Sequence, residues 1–411
     1  MEIDVPAARR PRLTPAIADI RRAVRELLIS VVSRPDSVQN DGDSSRNAGR
    51  PGTSAGASAK KSVVLVGLSG GADSLALAAA TAFEAPRAGI RAGAVIVDHG
   101  LQTGSADVAA RAAEQASALG LAPVLVRRVV VPLAGPGAVE PGRVHPSGRL
   151  DPVLGADGDQ MDALAGLETG GARAGAGRPG PNEGPEGAAR AARYSAFDDA
   201  MREVGASHVL LAHTLDDQAE TVLLGLARGS GATSLHGMSP VNGPYLRPLL
   251  GIRRAMTRQF CTDAGLTPWD DPQNLDTRFA RVRVRQTVLP TLEAQLGPGI
   301  AEALARTALQ LREDDDALDA MIRETIEDIC EPAEAGIAVS VGALEANPPA
   351  LRHRIIRYVV ASEFGIGLER THVEAVARLI THWHGQKALD LPGVRVARHA
   401  GMLVFQANTP A

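Results

Sequence analysis

Cysteine is nearly absent: Cys261 and Cys330 are the only two in 411 residues, and they lie far apart. Their number and spacing exclude a disulfide framework, a Cys-x-x-Cys redox pair and a cysteine-ligated zinc or iron–sulfur site. Aromatic residues make up only 3% of the chain, so its cores have to be assembled from Ala, Val, Leu and other small aliphatics. No apolar run reaches the roughly 18 residues of a membrane span. The N-terminus carries Glu2, Asp4, Arg9 and Arg10 without an apolar segment, unlike a secretory leader. A formal net charge of −4 argues against a uniformly basic nucleic-acid binder. The expectation is a soluble cytoplasmic protein with no membrane contact, long enough for two or three domains.

The most informative segment that is present runs Ser69-Gly70-Gly71-Ala72-Asp73-Ser74. It lies between the apolar run Val63–Val66 and the alanine-rich stretch Leu75–Ala82. A strand that feeds a glycine-rich turn opening a helix captures phosphate oxygens, because the helix start offers unpaired N–H groups and a positive dipole end. The loop lacks the Gly-Lys-Ser/Thr ending of a Walker A motif and is not Gly-x-Gly-x-x-Gly. The plain structural alternative is an ordinary turn in which Asp73 or Ser74 caps the helix.

Around this loop the chain reads as alternating strands and helices. Residues 1–33 hold one helix, Ala16–Ser30, and residues 34–60 read as a disordered insertion rich in Ser, Gly, Asn and Asp. Residues 61–293 carry strands at Val63–Leu68, Gly93–Val97, Val124–Val131 and Val209–Ala212, with helices at Asp73–Phe83, Ser105–Leu119, Ala188–Val204 and Asp216–Arg228. A second insertion interrupts them, since 14 Gly and 7 Pro occupy the 54 positions from Ala134 to Gly187. The predicted fold is α/β, a mainly parallel doubly wound sheet with helices on both faces. Residues 294–411 predict a smaller, mostly helical domain with short strands within Lys387–Phe405. Ligands of such sheets bind beyond the carboxyl ends of the strands, where Ser69–Ser74, Asp98-His99 and His213 all fall.

Two further clusters carry chemistry. In His213–Thr221, Asp217 and Glu220 are three apart and share one helix face. Paired carboxylates there can bind a cationic amine, hold Mg²⁺ near a triphosphate or accept a proton. A zinc site would need a third good ligand beside His213, and none is evident, so no protein metal site is expected. Arg190, Arg193 and Tyr194 lie at helical spacing just before this strand, suited to oxyanion recognition or to a solvated basic face. Trp269–Asn274 leads into Arg278, Arg281, Arg283 and Arg285, a local positive patch suited to an RNA backbone or to domain docking. Arg352, His353, Arg354 and Arg357 form a smaller basic face, and the His382-Trp383-His384 run reads as structural.

In order along the chain, Ser69–Ser74, Asp98-His99-Gly100-Leu101, His213–Thr221 and Trp269–Arg285 with Leu289-Pro290 resemble the tRNA(Ile)-lysidine synthetase family of PP-loop ATP pyrophosphatases. Val282 stands where that family often carries Asn. The resemblance implies ATP-dependent attachment of L-lysine to C2 of the wobble cytidine in the CAU anticodon of a tRNA(Ile), with ATP and Mg²⁺ required and a homodimer suggested. It implies a nucleotide site of Ser69, Gly70, Gly71, Ala72, Asp73, Ser74, Asp98 and His99. Asp73, Arg193, His213, Asp217 and Glu220 would be catalytic, with Asp217 and Glu220 placing the lysine cation or taking its proton. Arg278, Arg281, Arg283 and Arg285 would contact the RNA. Two rivals are a PP-loop tRNA cytidine thiolase, which would call for a cysteine pair, and a non-catalytic RNA binder on a degenerate nucleotide fold, which the intact Asp73, Ser74, Asp217 and Glu220 oppose.

Overall fold

The run Val63–Gly67 (β1) forms the centre of a six-stranded sheet because its β-branched side chains are buried on both sides, with Val64, Leu65 and Val66 each at 0% exposure. The structure is a computed structural model that describes residues 13–32, 62–100, 104–129, 185–229, 231–333 and 336–408. The insertions expected at 34–60 and across most of 134–187 lie outside those residues. β1 pairs in parallel with β2 (Arg91–Asp98) on one side and β4 (His208–Leu210) on the other. The order is β3-β2-β1-β4-β6-β5, where β3 is Val124–Arg128, β5 Val241–Asn242 and β6 Tyr245–Leu246. Only the edge pair β5–β6 is antiparallel, a two-residue hairpin too short to show any sequence periodicity.

Successive residues of β1 face opposite layers, as the pleat requires. Val64 and Val66 join a core with Ile17, Ile20, Val24 and Leu28 of α1 (Pro15–Val32), Leu75 and Leu77 of α2 (Ala72–Glu84), Ala109 and Ala112 of α3 (Ser105–Ala118) and Phe260 of α6 (Arg254–Asp263). Leu65 faces the other way, onto Phe197, Ala200 and Met201 of α4 (Pro185–Val204). Helices therefore cover both faces, as the alternating pattern predicted. Small side chains make this packing close: Ala76, Ala78 and Ala80 of α2 are all fully buried. The following α5 (Leu215–Ala227) carries His213 and the carboxylate pair at or near its start.

The chain divides into two compact units. The first holds the described residues up to Gly229 together with 237–306, and the second holds 231–236 and 307–408. The division falls inside α8 (Ile300–Ile329), some way beyond the expected boundary at 293/294 and after α7 (Leu289–Leu296). The second unit contains a five-stranded antiparallel sheet ordered β7-β8-β11-β10-β9, with β9 Leu389–Leu391, β10 Val394–His399 and β11 Met402–Ala407 as its C-terminal strands. Val396, Leu403 and Phe405 of that sheet are buried with Ile355, Val359 and Val360 of α10 (Pro349–Phe364) and Val376 and Ile380 of α11 (Arg370–Thr381). The short α9 (Val341–Ala346) adds Val341 and Leu344. β7 (Cys330–Ala333) and β8 (Gly336–Ser340) extend the sheet beyond the strands that alternation alone predicted. No helix among the described residues is long and apolar enough to cross a membrane.

Gly93 of β2 shows how tightly the first sheet is built. A Cβ there would lie 2.5 Å from the Pro123 carbonyl oxygen and 2.9 Å from a Leu65 methyl. Gly93→Ala is expected to lower stability by about 1–3 kcal/mol. Gly251→Ala, which meets nothing within 4 Å, should change it by less than about 0.5 kcal/mol. Urea unfolding of the two variants checks the difference.

Candidate active site

The turn after β1 is shaped by two glycines. Gly70 sits at φ +86°, in the left-handed region, and Gly71 is the N-cap of α2 with extended backbone and no side-chain cap. Neither Asp73 nor Ser74 caps the helix, contrary to the plain structural alternative. The Ser74 hydroxyl folds back instead, donating to the Gly71 carbonyl at 3.0 Å and accepting the Ser69 N–H at 3.2 Å. The Ser69 and Ser74 hydroxyls lie 3.1 Å apart. The serines thus hold the loop in a ring, and the helix start keeps its amide groups without a side-chain cap, as an anion cradle requires. The Trp269 N–H donates to the Gly70 carbonyl at 2.9 Å, tying Trp269–Asp270 to the loop. An open cleft of about 360 Å³ lies beside Gly70, lined by Val108, Ala112, Gln115, Thr267 and Trp269.

Asp217 and Glu220 share the inner face of the first turns of α5. Asp217 is locked by a capping box: the Thr214 N–H and hydroxyl donate to its Oδ2 at 2.8 and 2.7 Å. Glu220 has 0% side-chain exposure. Three guanidiniums converge on the pair. Arg285 reaches Glu220 Oε1 at 2.7 Å and Asp217 Oδ1 at 3.3 Å. Arg281 stands 3.3 Å from Glu220 Oε2 and donates to the Thr221 hydroxyl at 2.7 Å. Arg254 binds Asp217 at 2.7 Å and Glu220 at 3.2 Å, and its Nε lies 3.5 Å from Asp73 Oδ2. One side chain therefore joins the phosphate-type loop to the carboxylate pair.

These contacts set the protonation states. Burial favours the neutral form of Asp217, but Arg254, Arg281 and the Thr214 hydroxyl overcome it and hold the carboxyl well below the usual range. Burial also acts on Asp73, and there it prevails: the carboxyl is raised despite the Thr257 hydroxyl bonded to Oδ1 and the nearby Arg254. Burial would strip Arg254 of its proton, yet Asp217, Glu220 and Asp73 hold the charge firmly in place.

The arginine patch predicted after Trp269 divides in two. Ala280–Arg283 form one α-turn and Val284–Val288 a π-turn, so Arg281 and Arg285, four apart, face inward to the carboxylates. Arg278 stays at the surface, its side chain 87% exposed and paired with Asp276 at 2.6 Å. Arg283 donates to the carbonyls of Thr277 and Arg278 at 2.9 and 2.7 Å.

A third group lies at the ends of β2 and β4. Arg193 Nε donates to His99 Nε2 at 3.2 Å, and burial together with that cation pushes His99 down to about 4. Asp98 is buried and accepts the Gly100 N–H at 2.9 Å. His213 accepts from Arg247 Nε at 3.2 Å, and burial with Arg247 pushes it down to about 3. Arg247, 1% exposed, also donates to the Tyr194 hydroxyl at 3.4 Å, as Arg190 does at 3.5 Å. Sequence reasoning gave no site role to Arg247, Arg254 or Thr257. Among the described residues no three His, Cys, Asp or Glu side chains gather to hold a metal ion.

The His213 shift has a defined sign. Between about 3 and its ordinary 6.5 the unfolded state binds a proton that the folded state refuses, so stability falls as pH drops through that window, by at most about 1.4 kcal/mol per pH unit. His213→Gln keeps an acceptor for Arg247 and should flatten this part of the curve when urea unfolding is followed from pH 7 to pH 4.

A family model described as a PP-loop domain matches residues 46–134 and 173–292. A model described as the TilS substrate binding domain matches residues 340–404, within the second unit. The tRNA(Ile)-lysidine synthase of Leifsonia xyli subsp. xyli is 57% identical over 348 residues, 84% of this chain and 90% of that protein. Its counterpart in Streptomyces coelicolor is 45% identical over 349 residues, covering 82% and 83%. The protein of the same name in Mycobacterium tuberculosis is 42% identical over 347 residues, covering 83% and 90%. Among solved structures, the U34-tRNA thiolase NcsA from Methanococcus maripaludis aligns with a TM-score of 0.45 at 17% identity, over 72% of this chain and 80% of that one. With identities this high over most of its length, and with both family models in register with its two units, the chain belongs to the tRNA(Ile)-lysidine synthase family.

Proposed function

We propose that the chain joins L-lysine to C2 of the wobble cytidine in the CAU anticodon of tRNA(Ile), consuming ATP and releasing AMP and pyrophosphate. The observation that carries this reading is the single arginine shared by two half-sites. Arg254 touches Asp73 in the loop suited to phosphate and the Asp217–Glu220 pair suited to an amine. A two-step ligation needs those two half-sites side by side. In the first step the C2 carbonyl oxygen attacks the α-phosphorus of ATP, and pyrophosphate leaves. In the second, the lysine ε-amine attacks C2, the C–O bond to AMP breaks and one proton is lost. An amide-like carbonyl resists amines until its oxygen becomes a leaving group, which the adenylate provides.

The residues divide the work by their electrostatics. Ser69–Ser74 and the start of α2 would cradle the departing pyrophosphate. Arg193 would meet charge on the transferring phosphate, with Asp98 and His99 beside the adenosine. His213, kept neutral by burial and by Arg247, would act as an uncharged hydrogen-bonding group near the base. Asp217 is held far below neutrality, which suits it to gripping the lysine ammonium and makes it a weak proton acceptor. Asp73 would be the protein carboxylate that holds a Mg²⁺ accompanying the triphosphate, and the ion would supply neutralisation of phosphate charge. Asp73 lies in the first turn of α2 beside the loop, and among the described residues its Oδ2 has only the 3.5 Å contact with Arg254, leaving a carboxylate oxygen the ion could take. Arg278 and Arg283 remain as contacts for the RNA backbone, whereas Arg281 and Arg285 would serve the carboxylates. We place the reaction in the cytoplasm, where tRNA and ATP meet, with a homodimer as the expected assembly.

A thiolase reading finds little support in the cysteines. Cys261 lies in the first unit with its thiol pushed up by burial to about 12, and Cys330 lies in the second, pushed up to about 11. Neither is poised as a thiolate at neutral pH.

The direct test is pyrophosphate release from ATP with L-lysine and the CAU-anticodon isoleucine tRNA. Release should require that tRNA, and release indifferent to tRNA would overturn the reading. Asp217→Asn is expected to lower kcat/KM for lysine at least about tenfold, roughly 1.4 kcal/mol, while ATP affinity measured by equilibrium dialysis changes far less. Equal losses in both would reassign Asp217 to the nucleotide.

A further inference from the structure

The carboxylates that would bind lysine already have cations. Asp217 and Glu220 are met by Arg254, Arg281 and Arg285, two carboxylates against three guanidiniums, while Arg253 bridges Asp216 and Glu302. A lysine ammonium entering this cluster finds no uncompensated negative charge. It can be held only if one guanidinium withdraws, and a guanidinium withdraws only towards another anion.

Arg254 is the one with such a destination. Its head is ion-paired to Asp73, at the start of the helix that opens the phosphate-type loop. That contact is its longest, 3.5 Å against 2.7 Å to Asp217 and 3.2 Å to Glu220. Its backbone is fixed, because its N–H donates to Asp216 Oδ2 at 2.7 Å and its carbonyl accepts the Thr257 hydroxyl at 2.7 Å. The head can therefore change partners by rotating its side chain without shifting α6. Arg281 and Arg285 come from elsewhere, on the segment that closes over Glu220.

Resting on the ligation reading above, we infer that Arg254 is an electrostatic gate that makes lysine binding depend on ATP. Without nucleotide its guanidinium occupies the cation place between Asp217 and Glu220. A triphosphate at Ser69–Ser74 draws the guanidinium onto phosphate oxygens, where its planar fork fits. The vacated carboxylates then accept the lysine ammonium, a compact cation of equal charge. Lysine is thereby kept away from the site until the group that activates the cytidine is present. Arg254 is a positioning residue in this scheme, acting on the amine through Asp217 and Glu220.

Calorimetric titration of L-lysine into the full chain tests the gate. With Mg²⁺ and α,β-methylene-ATP, which cannot be split at the bond concerned, lysine should bind about 5- to 150-fold more tightly than without nucleotide. Inorganic pyrophosphate should give part of the increase and adenosine none, since the gate responds to phosphate charge. In Arg254→Gln the affinity for lysine should no longer depend on the analogue, whereas Arg254→Lys should keep a weakened dependence. Equal affinity in the wild-type chain with and without the analogue would overturn the inference, as would adenosine acting as well as the analogue. The wild-type comparison stands even if a variant does not fold. Nucleotide-independent lysine binding with continued tRNA-dependent pyrophosphate release would remove the gate alone, and loss of that release would remove the ligation reading itself.

Discussion

Glu220 is a carboxylate with no exposure to water, and the arrangement of the site follows from that burial. An isolated charge there would cost several kcal/mol, so the fold must bring cations to it. Arg285 and Arg281 come from the segment after Trp269, and Arg254 comes from the start of α6. Meeting that demand draws two separate segments of the chain together over α5. It also sets Arg254 within reach of Asp73, so the phosphate-type loop and the carboxylate pair become one electrostatic unit. The network thus adds polar ties among α2, α5 and α6 to the apolar packing of these helices.

The scarcity of aromatic side chains has its counterpart in the packing. Alanines fill α2 and bring it close to the sheet, so the loop ahead of it is held by a dense and unyielding layer. Three of the few aromatics, Tyr194, Phe197 and Tyr245, cluster on the opposite face of the sheet, with the Tyr194 and Tyr245 rings 4.7 Å apart. The Tyr194 hydroxyl meets Arg247, which in turn donates to His213, a ring kept neutral by its burial and by that cation. The aromatic cluster thus reaches the site through one buried arginine.

Much of this was legible in the residues. The strand–glycine–helix order around Ser69–Ser74 and the alternation of apolar runs pointed to the sheet, its helices on both faces and the strand ends where the site lies. Asp217 and Glu220 share a face, as a spacing of three requires. Other features depend on contacts far apart in sequence and leave little local mark. Arg254 and Arg247 look like ordinary surface arginines until folding buries them against carboxylates and a histidine. Arg281 and Arg285 read as an exposed patch, because a π-turn that aligns them inward has no periodic signature. β5 and β6, with two residues each, and the pair β7 and β8 are defined by their partners and not by their own pattern.

The proposed ligation, served by this ion network, leaves lysine on the wobble cytidine. Mass analysis of the CAU-anticodon isoleucine tRNA, after incubation with the full chain, ATP, Mg²⁺ and L-lysine, tests it most directly. The expected result is one nucleoside in the anticodon heavier by a lysine less one water, absent when either ATP or lysine is omitted. An unchanged wobble cytidine, or one carrying sulfur in place of lysine, would contradict it.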